Sequence, residues 1–411
     1  VVLGQSNWLG TPPLDFYLPE GFAFLVLLGF PHIAAAQSLL LWGLLFLLKA
    51  WQASPMSNVQ CPMSKSRFTF YVSRSTFHAA SAGVCWLLMG LIVPFYVPVA
   101  WAVAGAALLA LRKKPGFCQK PGFSVPWREG LLAGLAALLS APVVAYSAWV
   151  FTSDRVYATW AAQNLILSPH PFHYLSAYSA PLLLAAFAAR AAWRDEGTAW
   201  LPLAWVAIVP LLVYLPFNLQ RRLVAGVQVP LSLLAAWGAA RLWRKSTIQH
   251  RLFRVTIRRW LVVALLATML PTNLILLTGS SAWMFARPTP IFRDRAEIAA
   301  LDWLAGQTDL SDVILTARDT GIYLPVRASA RVFVGHGLET VDVDAKEAMV
   351  ARFFSAPADD AWRQWLLKEY SVDFVFWGPV ERALGDFDPG RTAYLRPIYN
   401  TSGYSIFEVE R

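Results

Sequence analysis

Eight apolar segments, each close to the length that crosses a bilayer, make up most of the first 285 residues of this chain. A membrane-spanning helix needs about 20 mainly apolar residues. The stretch 75–111 is uncharged and broken by Pro94 and Pro98, which favours a hairpin of two short helices, with a re-entrant pair as the alternative. We therefore predict a polytopic α-helical membrane domain of about eight spans. They lie near 32–51, twice within 75–111, and near 130–151, 173–190, 199–217, 223–241 and 260–280.

Composition and charge exclude several other classes of protein. Only 15% of the residues are charged and 57% are hydrophobic, whereas soluble domains carry about 25% charged residues. The three cysteines have no CxxC spacing and are too few for a disulfide framework. The net charge of +10 does not indicate a nucleic-acid partner, because residues 1–285 hold 21 basic and 6 acidic residues, whereas residues 286–411 hold 14 and 19. The basic charge therefore accompanies the apolar part.

The distribution of basic residues predicts the sidedness of the chain. Loops on the cytoplasmic side of membrane proteins are enriched in Lys and Arg. If residue 1 lies outside the cytoplasm, 18 basic residues of the apolar part are cytoplasmic, and only Arg155, Arg221 and Arg222 are not. Residues 1–31, 152–172 and 286–411 are then extracytoplasmic. Because the chain begins at Val1 without a signal peptide, we also expect upstream sequence to be missing.

Residues 286–411 have the composition of a soluble domain. The segment 293–307 carries apolar residues at helical spacing, and further helices are expected near 343–355 and 359–370. Short apolar runs predict buried strands, and 403–409 alternates like an edge strand. This order predicts a small extracytoplasmic α/β domain with a partly parallel sheet, following a membrane domain at 1–285. The predicted buried strands are 312–317, 331–334 and 373–377.

The pair Arg221-Arg222 is the sharpest candidate for a binding site. Two adjacent guanidiniums lie at the lip of the bilayer, on the side that otherwise lacks positive charge. Arginine forks match phosphate oxygens bidentately, so a lipid-linked phosphate or pyrophosphate fits, with Gln220 beside it. The alternatives are an ordinary headgroup anchor and a pairing with acids of the tail domain.

Three further groups of residues are candidates for chemistry. Asp15 and Glu20, in the first outer loop, suit a general base or a metal ligand, and the alternative is a pair of solvated loop acids. The 152–174 loop is a candidate substrate loop, but its composition favours the alternative, an aromatic interfacial segment. In the tail, His336 and Glu339 follow a predicted strand, where loops often hold ligands. The loop candidates are Trp160, Gln163, Asn164, His170 and His173.

Several short motifs in the membrane part and the tail resemble those of a known family. The order of features resembles the C-terminal two-thirds of bacterial GT-C-type integral membrane glycosyltransferases, which include relatives of protein O-mannosyltransferases and aminoarabinose transferases. The motifs are DFYLPE at 15–20 ahead of Pro31-His32, WAAQN at 160–164 with Ser168-Pro169, LPF at 215–217 with QRR at 220–222, and GHGLET at 335–340.

The resemblance implies an enzyme of the bacterial cytoplasmic membrane that takes a sugar from a polyprenyl-phosphate donor outside the cytoplasm. It implies that Arg221 and Arg222 hold the donor phosphate. The family's catalytic acid lies in an earlier outer loop, so Asp15 is not assigned that role. The cofactor stays open, with a divalent metal as one option. The alternative hypothesis is a non-catalytic membrane subunit of a larger complex, built on the same scaffold.

Overall fold

A computed structural model describes residues 13–53, 65–113, 127–194, 198–245, 252–287, 289, 292–337, 339–401 and 403–410. Cys61 and Cys118 lie outside the described residues. The chain forms two compact units. The first, here called the membrane unit, comprises Val1–Ser153 and Leu165–Gly279, and the second, the soluble unit, comprises Asp154–Asn164 and Ser280–Arg411. The predicted domain boundary at residue 285 stays a prediction.

The amino-terminal part of the chain is helical. Short 3-10 turns at Leu14–Phe16 and Pro19–Gly21 precede the first helix, and another at Gln220–Val224 precedes the tenth. The helices are α1 (Ala23–Gly29), α2 (Pro31–Gln52), α3 (Lys65–Ile92), α4 (Tyr96–Lys113), α5 (Trp127–Ser153), α6 (Arg155–Gln163), α7 (Pro171–Ala177), α8 (Ser179–Arg194), α9 (Trp200–Leu212), α10 (Gln228–Lys245), α11 (Leu252–Ala267) and α12 (Pro271–Ala286).

The number of spans differs from the sequence prediction. Among the described residues, four helical stretches are long and apolar enough to cross a membrane, or five if α7 and α8, bent by 80°, count as one broken span. The prediction of eight spans is therefore wrong by this criterion. The apolar segments near 199–217 and 223–241 become the short helix α9 and the more polar α10, because the chain between them turns at 213–227. The four stretches are Pro31–Gln52, Ser73–Ile92, Trp127–Ser153 and Arg259–Ala286.

Small residues allow the helices of the membrane unit to pack closely. The indole of Trp86 on α3 lies against the Cα of Gly43 on α2, where a methyl group would meet its Nε1 at 2.1 Å. Gly83 faces Ala136 of α5 in the same way. Packing between small residues is the main source of helix association in lipid. The buried face of α2, which includes Leu40, therefore sets the position of its neighbours.

The contact between α8 and α10 provides a stability test. A Cβ at Gly238 would lie 1.8 Å from the backbone oxygen of Leu184, whereas nothing lies within 4 Å of a Cβ at Gly279 in α12. Because a backbone oxygen cannot move aside, we expect Gly238→Ala to lower the free energy of unfolding by about 1–3 kcal/mol. Gly279→Ala, the matched control, is expected to be neutral or stabilising by up to about 1 kcal/mol. Thermal unfolding in detergent measures both, and equal melting temperatures for the two variants would refute this packing.

The soluble unit contains a five-stranded mixed sheet. Its strand order is β2-β1-β3-β5-β4, with β1 parallel to both β2 and β3, and with β5 antiparallel to β3 and β4. Two apolar cores, centred on Phe353 and Phe376, are buried in this unit. The elements are α13 (Arg295–Ala305), β1 (Val313–Leu315), α14 (Arg318–Arg327), β2 (Arg331–Val332), α15 (Val343–Phe354), α16 (Asp360–Glu369), β3 (Phe374–Trp377), α17 (Pro379–Arg382), β4 (Leu395–Thr401) and β5 (Tyr404–Val409).

The expectation of a small α/β domain with a partly parallel sheet is confirmed, with one strand misplaced. The segment 403–409 was predicted as an edge strand, but β5 pairs on both sides and β4 forms the edge. The residues of β4 are mostly exposed or half-buried and include Pro397, so the strand shows no alternation of apolar and polar residues. Pro397 is tolerated because an edge strand bonds a neighbour on one side only.

Candidate functional site

Glu20 lies in a recess at the start of the helices of the membrane unit. Its side chain is buried, with only 4% of the residue exposed. Its backbone carbonyl accepts hydrogen bonds from Gln37 Nε2 at 3.0 Å and from the Gly226 amide at 2.9 Å. Because Gln37 lies six residues along α2 from Pro31, this carbonyl lies about 9 Å below the start of the helix. The segment around Glu20 therefore packs against α2 and against the turn that precedes α10.

Arg222 is the partner of Glu20. Its Nε lies 3.4 Å from Glu20 Oε1. Its guanidinium carbon lies 5.6 Å from the ring centre of Phe95, at the break between α3 and α4. A charge at this depth is retained because a carboxylate compensates it and an aromatic face covers it. The Arg222 side chain is 34% exposed and the Glu20 side chain 5%, so the pair joins a half-buried guanidinium to a buried carboxylate.

Arg221 lies beside this ion pair without a carboxylate of its own. Its guanidinium carbon is 4.8 Å from the ring centre of Tyr17. Its Nε and the Tyr17 hydroxyl are both buried, and neither has a hydrogen-bond partner among the described residues. No carboxylate of the described part of the chain lies within 4 Å of it. We call Tyr17, Glu20, Phe95, Arg221 and Arg222 the arginine recess.

Two non-helical segments hold Arg221 in place by bonding each other. The Ile166 amide donates to the Asn218 carbonyl at 2.7 Å, and the Arg221 amide donates to the Ile166 carbonyl at 3.2 Å. Gln220 links the two segments further. Its Oε1 accepts from the Ser168 amide at 3.2 Å, and its Nε2 donates to the Leu215 carbonyl at 2.7 Å. Backbone outside a helix needs such partners near lipid. Gln220, a predicted phosphate ligand, therefore makes its visible bonds to backbone.

Asp15 is buried in the membrane unit, with 5% of the residue exposed. Its Oδ2 accepts a hydrogen bond of 2.5 Å from the Thr272 hydroxyl at the start of α12. The alternative interpretation of Asp15 and Glu20 as solvated loop acids is therefore wrong. The sequence gives no sign of Thr272, because it lies 257 residues from its partner.

Burial gives Glu20 a measurable pH dependence. Removal from water raises the pKa of its carboxyl above the ordinary value, and the backbone hydrogen bond and the charges of Arg222, Arg221 and His32 only partly offset this. A raised pKa means that the folded state binds the proton more tightly than the unfolded state. Protonation of Glu20 therefore stabilises the folded state. This stabilisation is complete below about pH 4.5 and is lost as the pH rises through the folded-state pKa.

We therefore expect the melting temperature of the wild type, relative to that of Glu20→Gln, to fall as the pH is raised from 4. The glutamine keeps the shape of the side chain but cannot ionise. The melting temperature of the variant therefore lacks the part of the pH dependence that comes from Glu20. Thermal unfolding in detergent at a series of pH values measures the difference. A difference between the two proteins that rises with pH would contradict the burial of Glu20.

The candidate substrate loop begins in α6, which belongs to the soluble unit. Gln163 Nε2 donates to the Thr340 carbonyl at 2.7 Å, and its Oε1 accepts from the Asp342 amide at 3.1 Å. Asn164 Nδ2 donates to the Trp160 carbonyl at 2.9 Å and ends the helix. The structure thus joins Gln163 to the turn that follows His336, which the sequence treats as a separate candidate.

The remaining predicted residues occupy different surroundings. His170 caps α7 by accepting from the Phe172 amide at 3.3 Å, whereas His173 is buried. His336 and Glu339 are exposed. No group of three or more His, Cys, Asp or Glu side chains able to hold a metal ion occurs within the described ranges. The described side chains thus form no such cluster, and we derive no step through a metal.

The sequence analysis missed Glu381, which is fully buried in the soluble unit. Its Oε1 accepts from the Thr316 hydroxyl, the Ala317 amide and the Thr320 hydroxyl at 2.7–3.0 Å, and its Oε2 accepts from the Gly378 amide at 2.9 Å. These donors lie at the carboxyl ends of β1 and β3, where open α/β sheets hold ligands. In this chain an internal carboxylate fills that position.

Comparison with known proteins gives a fold likeness only. No family model matches the chain, and no curated protein sequence matches it. It is similar to a solved oligosaccharyltransferase of Archaeoglobus fulgidus tethered with an acceptor peptide, with a TM-score of 0.46, 11% identity, and coverage of 83% of this chain and 51% of that chain. A second similar structure is that of the oligosaccharyltransferase AglB from the same organism, in complex with an inhibitory peptide and a dolichol-phosphate. Its TM-score is 0.46 at 12% identity, and the match covers 84% of this chain and 52% of that chain. The chain spans about half the length of these structures.

Proposed function

We propose that this chain is a membrane glycosyltransferase of the GT-C type, or a large part of one, that moves a sugar from a polyprenyl-phosphate donor to an extracytoplasmic acceptor. The observation that carries the proposal is Arg221. Its guanidinium lies in a recess of the membrane unit, carries a full charge, and has no carboxylate within 4 Å among the described residues. An anion that enters from the membrane compensates that charge, and a lipid-linked phosphate has this chemistry.

The recess supplies electrostatic stabilisation to the transfer. The acceptor oxygen bonds to the anomeric carbon as the bond from that carbon to the phosphate oxygen breaks, and the acceptor's proton passes to a base. The leaving phosphate gains charge in this step, and donors fixed beforehand around it lower the barrier. Arg221 supplies a charge that has no carboxylate within 4 Å among the described residues, and Arg222 supplies the charge that pairs with Glu20. Asp15 and Glu20 are the candidate bases.

A transfer assay tests the proposal. The purified chain is incubated in vesicles with polyprenyl-phosphate sugars and an extract of extracytoplasmic acceptors, and labelled product is separated from donor. We expect product formation that depends on the chain and on the polyprenyl phosphate. Tight binding of the lipid phosphate without product would leave the binding site intact and overturn the catalytic part.

The alternative is a non-catalytic membrane subunit on the same scaffold. The bonds of the two buried acids favour it, because Glu20 pairs with Arg222 and Asp15 accepts from Thr272. A general base must reach the proton that it removes, and such internal bonds hold a carboxylate in a structural role. Purification at native expression levels separates the two functions: stoichiometric membrane partners without turnover indicate the subunit.

A further inference from the structure

A second site faces the opposite end of the membrane unit. Helices α2, α9 and α10 enclose a groove of about 400 Å³, a volume within the range of small-ligand sites. Its walls are almost entirely apolar and include Leu41, Leu45, Trp205, Leu233 and Trp237, and Thr198 lies at one end. A hydrocarbon chain suits such walls.

Two basic residues continue the walls of the groove. On α2, Leu41 and Leu45 are followed at the next interval of four by Lys49, and on α10, Leu233 and Trp237 are followed by Arg241. Residues four apart share one face of a helix. Each wall therefore changes from apolar to basic along the same face.

We expect the two basic residues to lie at similar distances from the arginine recess along their helices. The Glu20 carbonyl bonds both Gln37 of α2 and Gly226, two residues before α10, and so marks a common level. From there Lys49 is about 18 Å along α2, and Arg241 about 20 Å from the start of α10, at 1.5 Å per residue. Both helices run away from the arginine recess, so the basic ends lie far from it.

Neither basic residue is neutralised within the described part of the chain. No carboxylate of that part lies within 4 Å of Lys49 or Arg241, and Lys49 Nζ lies 5.8 Å from the ring centre of Phe46. Nearby, Trp51 and Trp200, which are both buried, stack with ring centres 6.1 Å apart. An apolar groove whose helices α2 and α10 carry, beyond it, two cations with no carboxylate within 4 Å among the described residues suits an anionic head on a hydrocarbon chain.

We propose that this groove is a binding site for an anionic glycerophospholipid of the leaflet opposite the arginine recess. One acyl chain occupies the groove between α2, α9 and α10, and the phosphate contacts Lys49 and Arg241. By the predicted sidedness this is the cytoplasmic leaflet. The site is independent of the proposed transfer, because it uses none of the residues of the arginine recess.

Native mass spectrometry of the full chain tests the site. The protein is exchanged into detergent with phosphatidylglycerol or phosphatidylcholine, and the retained lipid is counted. We expect the wild type to prefer phosphatidylglycerol, and Lys49→Gln and Arg241→Gln each to weaken that preference about fivefold. Arg190→Gln, an exposed residue of α8 that does not line the groove, is the matched control and is expected to keep the preference. Leu233→Trp, which fills the groove, is expected to reduce retention of both lipids.

Three outcomes would overturn the proposal. Equal losses in Arg190→Gln and in the Lys49→Gln and Arg241→Gln variants would indicate a general attraction to basic charge. If Lys49→Gln and Arg241→Gln keep the preference for phosphatidylglycerol, and Leu233→Trp retains both lipids as the wild type does, the groove binds no phospholipid. Displacement of phosphatidylglycerol by a polyprenyl phosphate, lost in Arg221→Ala, would show that the groove belongs to the donor. All three outcomes are measurements of lipid binding, so they stay interpretable even if the chain proves unable to transfer sugar.

Discussion

The double variant Arg221→Ala/Arg222→Ala is expected to lose at least a hundredfold in sugar transfer while the chain remains folded. Removing one preorganised donor from a developing oxyanion costs about 10²–10³ in rate, and this change removes the only charges that face the recess from the 3-10 turn at Gln220–Val224. The measurement is the initial rate of labelled product formation in vesicles, with saturating donor.

Two controls accompany this variant. Arg155→Ala removes the other arginine of the first 285 residues that the charge distribution predicts to be extracytoplasmic, which lies at the start of α6, and is expected to transfer sugar at the wild-type rate. Arg221→Ala alone is expected to lose more than Arg222→Ala, because Arg222 already shares its charge with Glu20. Unchanged turnover in the double variant would show that the arginines have no part in the reaction.

Glu381→Ala is expected to unfold the soluble unit locally. The change leaves two hydroxyls and two amides without their shared acceptor in a fully buried position. Each buried unsatisfied group costs about 1–3 kcal/mol, so the loss in local stability is expected to be about 3 kcal/mol or more. Hydrogen exchange of the full chain should accelerate at least about a hundredfold in peptides covering β1 and β3.

Glu347→Gln is the matched control, because Glu347 pairs with Arg318 at 2.8 Å on the surface of the same unit. Exposed ion pairs contribute about 0–1 kcal/mol, so exchange in β1 and β3 is expected to stay unchanged. Similar exchange in both variants would mean that Glu381 does not hold the ends of these strands together.

The elements that the sequence predicted well are those that depend on local pattern. The apolar run at 313–315 and the alternation at 404–409 both became strands, because side-chain period determines which face of a strand is buried. Helix α15 also lies where its spacing predicts it. In contrast, β4 is an exposed edge strand with a proline, and its pairing is fixed only by β5.

The sequence predicted the charged residues of the candidate site but not how they pair. Arg221, Arg222 and Glu20 were each chosen from the sequence as an unusual charge, but no local pattern pairs residue 20 with residue 222. Tyr17 and Thr272 carry no sequence signal, since their roles come from contacts made across the fold. The prediction of eight spans failed for a different reason: apolar length does not reveal how much of a segment becomes helix, and the segment near 199–217 is helical only over Trp200–Leu212.

The central claim is that an anionic lipid head binds at Arg221. A cryo-electron-microscopy map of the full chain in nanodiscs with farnesyl phosphate tests it most directly, because the phosphate is the strongest feature of that ligand. We predict phosphate density within hydrogen-bond distance of the Arg221 guanidinium, next to the Tyr17 hydroxyl, in the wild type and not in Arg221→Ala. Phosphate density at another position in the wild type, with the Arg221 side chain still stacked on Tyr17, would contradict the claim.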